Sequence, residues 1–228
     1  MDMFSAINFD ANKNIFEVTK EKEKLKDIYG IYQFYITIDI IPRLNYIIRN
    51  GINLGILTFD NFIKFLVNET WIGKKYYRYD LSGKKIPINW IDLISPSILD
   101  FFLQVQASYN SKYFIPNYIL SIDSFTLKME GIFRNFAERA KIATSVKGKN
   151  GMREVYLHNV FDNEVIKKYF DQTDRLFFNY LFSDMGLNIR NNIAHSFYNG
   201  NDYNSNIMLL LITALLRLGK YEQTKTIS

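Results

Sequence analysis

The chain contains no cysteine. That excludes disulfide staples and zinc–thiolate sites, and a reducing cytoplasm is the natural setting. Histidine is scarce too: only His158 and His195 occur, and neither belongs to an H-E-x-x-H pattern. The usual catalytic zinc sites are therefore not expected, nor any other metal. P-loop, Gly-x-Ser-x-Gly and Gly-x-Gly-x-x-Gly signatures are missing, and no cofactor is expected. Four prolines and eleven glycines in 228 residues leave little material for long disordered linkers. No apolar run approaches the roughly 20 residues of a membrane span. The most apolar stretch, Ile207 to Leu216, is interrupted by Thr213 and closed by Arg217, and reads as a buried helix. The start, Met1 to Ser5, lacks the basic flank and apolar core of a signal peptide, so no membrane partner is expected.

What is abundant is aromatic. Sixteen tyrosines and nineteen phenylalanines make up most of a 16% aromatic share. Large rings bury much area, so most of them belong to a core. The net charge of +5 suits a nucleic-acid partner, though many unrelated proteins share it.

Along the chain, alternating charges over Lys20–Asp27 open a helix that gains apolar residues through Ile31, Phe34, Ile38 and Ile41. Pro42 predicts a kink or break there, and Asn50-Gly51 a stop. Thr58 is a candidate N-cap for a short helix. Residues 71–90 carry Gly73, Ser82-Gly83 and Pro87 among tyrosines and read as a loop or small hairpin. Ser95-Pro96 predicts the start of the next helix. From Pro116 to about Thr144 the apolar residues recur at helical spacing, with Asp123, Leu127, Glu130 and Arg134 on a neighbouring face. Lys147–Gly151 reads as a loop, Arg153–Val160 and Glu164–Met185 as helices, Gly186 as a stop, and Ile207–Leu218 as the last helix. Helices joined by short connections favour a bundle.

The informative segment is Gly186-Leu187-Asn188-Ile189-Arg190-Asn191-Asn192-Ile193-Ala194-His195. Four residues separate Arg190 from His195. On an ideal helix that spacing turns the two side chains about 140° apart. A helix end, a kink or a partner chain is needed to bring them into one site.

Arg-Asn-x-x-Ala-His after a Gly-Leu-Asn-Ile lead-in resembles the Arg-x4–6-His motif of HEPN domains, and within that superfamily the bacterial DUF4209 branch. A second block, Ile122 to Arg134, is similar to that branch's first bundle helix with its Glu-x-x-x-Arg pair, here Glu130 and Arg134. The resemblance spans roughly Ser95 to Leu218. It implies an all-α fold: a HEPN-type helical bundle over 95–228, after a mostly helical extension over 1–94 with a small irregular or hairpin insert near 71–90. It also implies a homodimer and a metal-independent endoribonuclease, in toxin–antitoxin or antiviral defence biology, with a possible antitoxin or regulatory protein as partner. His195 is then the general acid or base and Arg190 the stabiliser of phosphorane charge. Asn191, Glu130, Asp123 and Arg134 are supporting candidates. Two features depart from the pattern: Ser196 stands where the branch has Gly, and Tyr198 follows His195 at two residues' remove rather than one.

Rival readings stand beside these. Glu130 and Arg134 form an i,i+4 pair that fits an ordinary surface ion pair equally well. His158 reads as a packing residue beside Leu157 and Phe161. Lys147, Lys149 and Arg153, with Tyr198, are candidates for RNA contact, although such a loop is commonly only solvated. Tyr76, Tyr77, Arg78 and Tyr79 fit a stacking platform for single strands or a hairpin packed on the core. The alternative function is a non-catalytic HEPN module that binds RNA or a protein, and a third is a dimerisation domain.

Overall fold

A computed structural model describes residues 7–9, 15–17, 20–79, 82–148, 151–155 and 157–221. Lys149 and the first residues lie outside this set, as do the side chains of His158, Arg78 and Tyr79. Among the described residues, helices dominate, and the only strands are three two-stranded antiparallel hairpins, the first made of β1 (Ile7–Phe9) and β2 (Ile15–Glu17). The chain is all-α in class. Among the described residues, no helix is long and apolar enough to cross a membrane.

The first helix, α1, runs over 20–53. It buries Tyr29, Ile36, Ile48 and Ile52 along one side. Pro42 does not break it. Two π-helical stretches, Ile36–Ile40 and Asn45–Arg49, flank the α-helical Ile41–Leu44 that contains Pro42. The widened turns take up a ring that would otherwise clash with the carbonyl four residues back. Nor does the helix stop at Asn50-Gly51. It continues to Asn53, and Gly55 at φ +69° ends it. Phe59–Glu69 (α2) follows, with the Asn61 amide donating to Thr58 Oγ1 at 3.2 Å. A 3-10 turn, Trp71–Gly73, leads into the hairpin of β3 (Tyr76–Tyr79) and β4 (Lys85–Ile88), inside the segment expected to hold an irregular insert.

Trp90–Asn110 (α3) starts five residues before the expected Ser95-Pro96. Asn89 caps it by accepting from the Ile91 amide at 3.0 Å, so Pro96 lies inside the helix. Hydroxyls soften that insult: Ser95 Oγ donates to the Ile91 carbonyl at 2.6 Å and Ser97 Oγ to the Ile94 carbonyl at 2.8 Å. Residue 95, the expected start of the bundle, therefore falls within a continuous helix.

Ile119–Arg139 (α4) is the central helix and buries Ile122, Phe125, Met129, Ile132, Phe133 and Phe136. It ends before the expected Thr144, with Lys141 at φ +61°. Where a loop and then a helix from Arg153 were expected, the chain makes a hairpin of β5 (Ser145–Gly148) and β6 (Gly151–Glu154). Gly151 at φ +121° supplies backbone that an L-residue rarely adopts, which favours the tight turn. Leu157–Phe161 (α5), Glu164–Tyr169 (α6) and Gln172–Phe182 (α7) replace the two helices expected over 153–185. The break before α7 is a cap: Asp171 accepts from the Asp174 amide at 2.8 Å. Ile189–Ala194 (α8) and Ser205–Gly219 (α9) complete the set.

One hydrophobic core runs through both halves of the chain. Phe133 sits at its centre, with the rings of Phe161 and Phe178 each 4.9 Å away in edge-on contact. Trp71 ties the first half to the last helix, its Nε1 donating to the Leu218 carbonyl at 2.9 Å. Gly186 does not end α7 but sits in the turn after it, where a Cβ would lie 2.0 Å from the Tyr180 carbonyl oxygen. Gly186→Ala is expected to cost about 2–3 kcal/mol, the upper part of the overpacking range. Urea denaturation checks this; a change near zero would contradict the packing of that turn.

Candidate active site

The site is built on α8, a helix too short to stand alone. Ile189 and Ile193, one turn apart, anchor it in the core. Its ends are bracketed by left-handed residues, Asn188 at φ +47° and Ser196 at φ +56°. The turn at Ser196 is therefore one that favours glycine, which gives the Gly-to-Ser departure a physical meaning: the serine holds a strained backbone. Asn192 braces the lead-in, its Nδ2 donating to the Leu187 carbonyl at 2.9 Å.

Anchored this way, α8 presents Arg190 to α4. Arg190 Nε donates to Glu130 Oε2 at 2.6 Å, and its Nη1 donates to Asn191 Oδ1 at 3.1 Å. The other oxygen of Glu130 accepts from Arg134 Nε at 3.1 Å and Nη2 at 2.7 Å. Glu130 and Arg134 are buried, whereas Arg190 keeps 34% of its side chain exposed. This is not a surface ion pair. Burial pushes the Glu130 carboxyl up, but hydrogen bonds from Arg134 and Arg190 and their charges outweigh it, so it lies below the ordinary carboxylate range.

The chain of polar contacts extends further. Arg134 Nη1 donates to the Thr144 carbonyl at 3.3 Å, and Thr144 Oγ1 donates to Glu138 Oε1 at 3.1 Å. Glu138 Oε2 accepts from the Tyr76 hydroxyl at 2.5 Å. One network thus joins the motif, α4, the loop before β5 and the strand β3. Thr144 and Glu138 carry no signal along the sequence, and the bond from Tyr76 to Glu138 forms only across folded elements.

His195 stands apart from this network. It is exposed at the C-terminal cap of α8, and its ring lies 5.6 Å from that of Phe197. Its imidazole makes no side-chain hydrogen bond among the described residues, and none joins it to Arg190. Asp123 meets neither of them. Its carboxylate faces the Tyr203 hydroxyl, whose pKa burial and this neighbour push up to about 12. Tyr198 turns toward Asn192 and Tyr203, its ring edge-on to Tyr203 at 5.6 Å, so it is not presented outward for RNA contact. Lys147 and Arg153 are exposed on the β5–β6 hairpin, Arg153 on a strand rather than a helix.

A second charged cluster, also unforeseen, staples α7 to the end of α9. Buried Asp174 accepts from Arg217 Nη1 at 2.8 Å and Tyr221 at 2.5 Å, and lies 2.7 Å from Lys220 Nζ. Every charge there has a partner, which is the arrangement of a structural tie. A cavity of about 700 Å³ lies between the start of α1 and the Met185–Leu187 turn, adjoining the motif without including it. No group of three or more His, Asp or Glu able to hold a metal ion occurs among the described residues. Comparison with protein-family models, curated proteins and solved structures finds no match to this chain.

Glu130→Gln is expected to cost about 3 kcal/mol, because it leaves a buried guanidinium without its counter-charge. The folded-state pKa of Glu130 is depressed, so its contribution is fully present above the ordinary carboxylate range and is lost as pH falls through the lowered value. Urea titrations from neutral to acid pH should show the variant losing less stability on acidification than wild type. Parallel pH profiles would contradict the assignment.

Proposed function

We propose that the protein is a metal-independent endoribonuclease of HEPN type. The observation that carries this reading is the division of labour on α8: an arginine fixed by a buried carboxylate, and an exposed histidine at the cap of the same short helix. The Nε of Arg190 is committed to Glu130 and its Nη1 to Asn191, while Nη2 has no partner among the described residues. A guanidinium held in place with open donors suits the extra charge of a phosphorane.

In the proposed reaction the substrate's 2′-hydroxyl attacks the adjacent phosphorus and the bond to the 5′-oxygen breaks. One imidazole takes the 2′ proton and an imidazolium returns a proton to the leaving oxygen, leaving a 2′,3′-cyclic phosphate and a 5′-hydroxyl. No oxidant or further reactant is consumed. Because no hydrogen bond joins Arg190 to His195 within one chain, the proposal includes a homodimer in which the His195 residues of two copies serve one phosphate. A toxin or anti-phage effector, restrained by a regulatory protein, is the setting the resemblance suggests.

Incubation with total RNA in EDTA tests the reading. Wild type should cleave, His195→Ala should lose about 10²-fold or more, and Arg190→Ala a comparable factor. Equal cleavage by wild type and His195→Ala, or none by either, would overturn it. Binding of RNA without cleavage would assign the chain to the non-catalytic alternative.

A further inference from the structure

The segment 74–85 reads Lys-Lys-Tyr-Tyr-Arg-Tyr-Asp-Leu-Ser-Gly-Lys-Lys. Five cations and one anion give it four of the five net positive charges of the whole chain. The charges of the rest of the chain nearly cancel in sum, so this segment concentrates much of the positive excess that an anionic partner would meet.

The β3–β4 hairpin orders this charge. Tyr76 pairs with Ile88 and Tyr77 with Pro87, so successive residues alternate between two faces. Tyr76 points inward and binds Glu138 through its hydroxyl. Tyr77 lies on the opposite face, 46% exposed, with Lys85 Nζ 4.4 Å from its ring centre. Lys75 immediately precedes the strand, and Lys74, Lys75, Lys84 and Lys85 are all exposed. An exposed aromatic ring bordered by lysines is the surface that single-stranded nucleic acid recognises, by base stacking and phosphate contact.

The hairpin is fixed in register with the candidate active site. Its anchor, Glu138, lies two helical turns beyond Glu130 on α4, about 12 Å along the axis. Residues 130, 134 and 138 advance by only about 40° each, so both anchors lie on the same side of that helix.

We propose that the β3–β4 hairpin is a docking arm for single-stranded RNA. Tyr77 stacks on a base, Lys75 and Lys85 contact phosphates, and the strand continues toward Arg190 and His195. The identity of the polymer and its direction rest on the ribonuclease reading; the existence of the arm does not. A second anionic partner, a phosphatidylserine-containing membrane, fits the lysines but gives no role to a tyrosine that stacks beside one.

The test measures binding of a fluorescein-labelled single-stranded RNA of mixed sequence by anisotropy. It uses full-length protein carrying His195→Ala to prevent cleavage. Added Lys75→Glu and Lys85→Glu together should weaken binding at least tenfold and lower the salt dependence by about two phosphate contacts. Tyr77→Ala should weaken it roughly tenfold with the salt dependence unchanged. Circular dichroism checks that each variant remains folded; Tyr77→Phe, which keeps the ring, should bind as the parent does. Hairpin variants that bind like the parent, a parent that binds no RNA, or binding confined to phosphatidylserine vesicles would each overturn the arm. Intact binding by the arm with no cleavage by wild type would instead overturn only the nuclease reading.

Discussion

A single carboxylate, that of Glu130, sits between two guanidinium groups in the interior of the bundle. Removing ions from water costs several kcal/mol each, and the cost is offset only where geometry is good and every donor is met. Both oxygens of Glu130 are used, one by Arg134 and one by Arg190. Two cations to one anion leaves a positive excess, which emerges where Arg190 reaches the surface. The same interaction therefore holds α8 against α4 and brings positive charge to the surface beside the helix that His195 caps.

Other parts of the fold serve this contact. A six-residue helix has no independent stability, so α8 relies on Ile189 and Ile193 in the core and on left-handed turns at Asn188 and Ser196. Gly186 sits so close to the Tyr180 carbonyl that no side chain fits, which sets the path by which the chain enters the motif. Arg134 carries the network on to Thr144, and Thr144 to Glu138 and Tyr76, so the loop before β5 and the strand β3 are both tied to α4. Positioning at the motif is thus shared among elements distant in sequence.

Much of this was legible beforehand where the physics is local. Thr58 capping α2, the apolar stripe of α4 and the hairpin signals at Gly73, Ser82-Gly83 and Pro87 all act over a few residues. Glu130 and Arg134 were recognisable as a helical pair, but their burial was not, because it depends on Arg190 arriving from sixty residues away. Breakers misled in both directions. Pro42 and Pro96 suggested a break and a start, yet π-helical turns and serine hydroxyls accommodate them within helices. Asp171 caps α7 inside an apparently continuous helical pattern, and Asp171-x-x-Asp174 is the local signal for it. Asp123 shares helical spacing with Glu130, but tertiary packing turns it to Tyr203. At the motif, ideal-helix spacing sets Arg190 and His195 about 140° apart and leaves open what unites them.

In the proposed reaction Glu130 acts through Arg190, as a positioning residue rather than one that touches RNA. A double-mutant cycle on RNA cleavage addresses this directly, comparing wild type, Glu130→Gln, Arg190→Ala and the double variant under conditions where all remain folded. If Glu130 works by holding Arg190, the loss caused by Glu130→Gln should disappear once Arg190 is already alanine. Additive losses in the double variant would contradict that claim and detach the buried carboxylate from the chemistry.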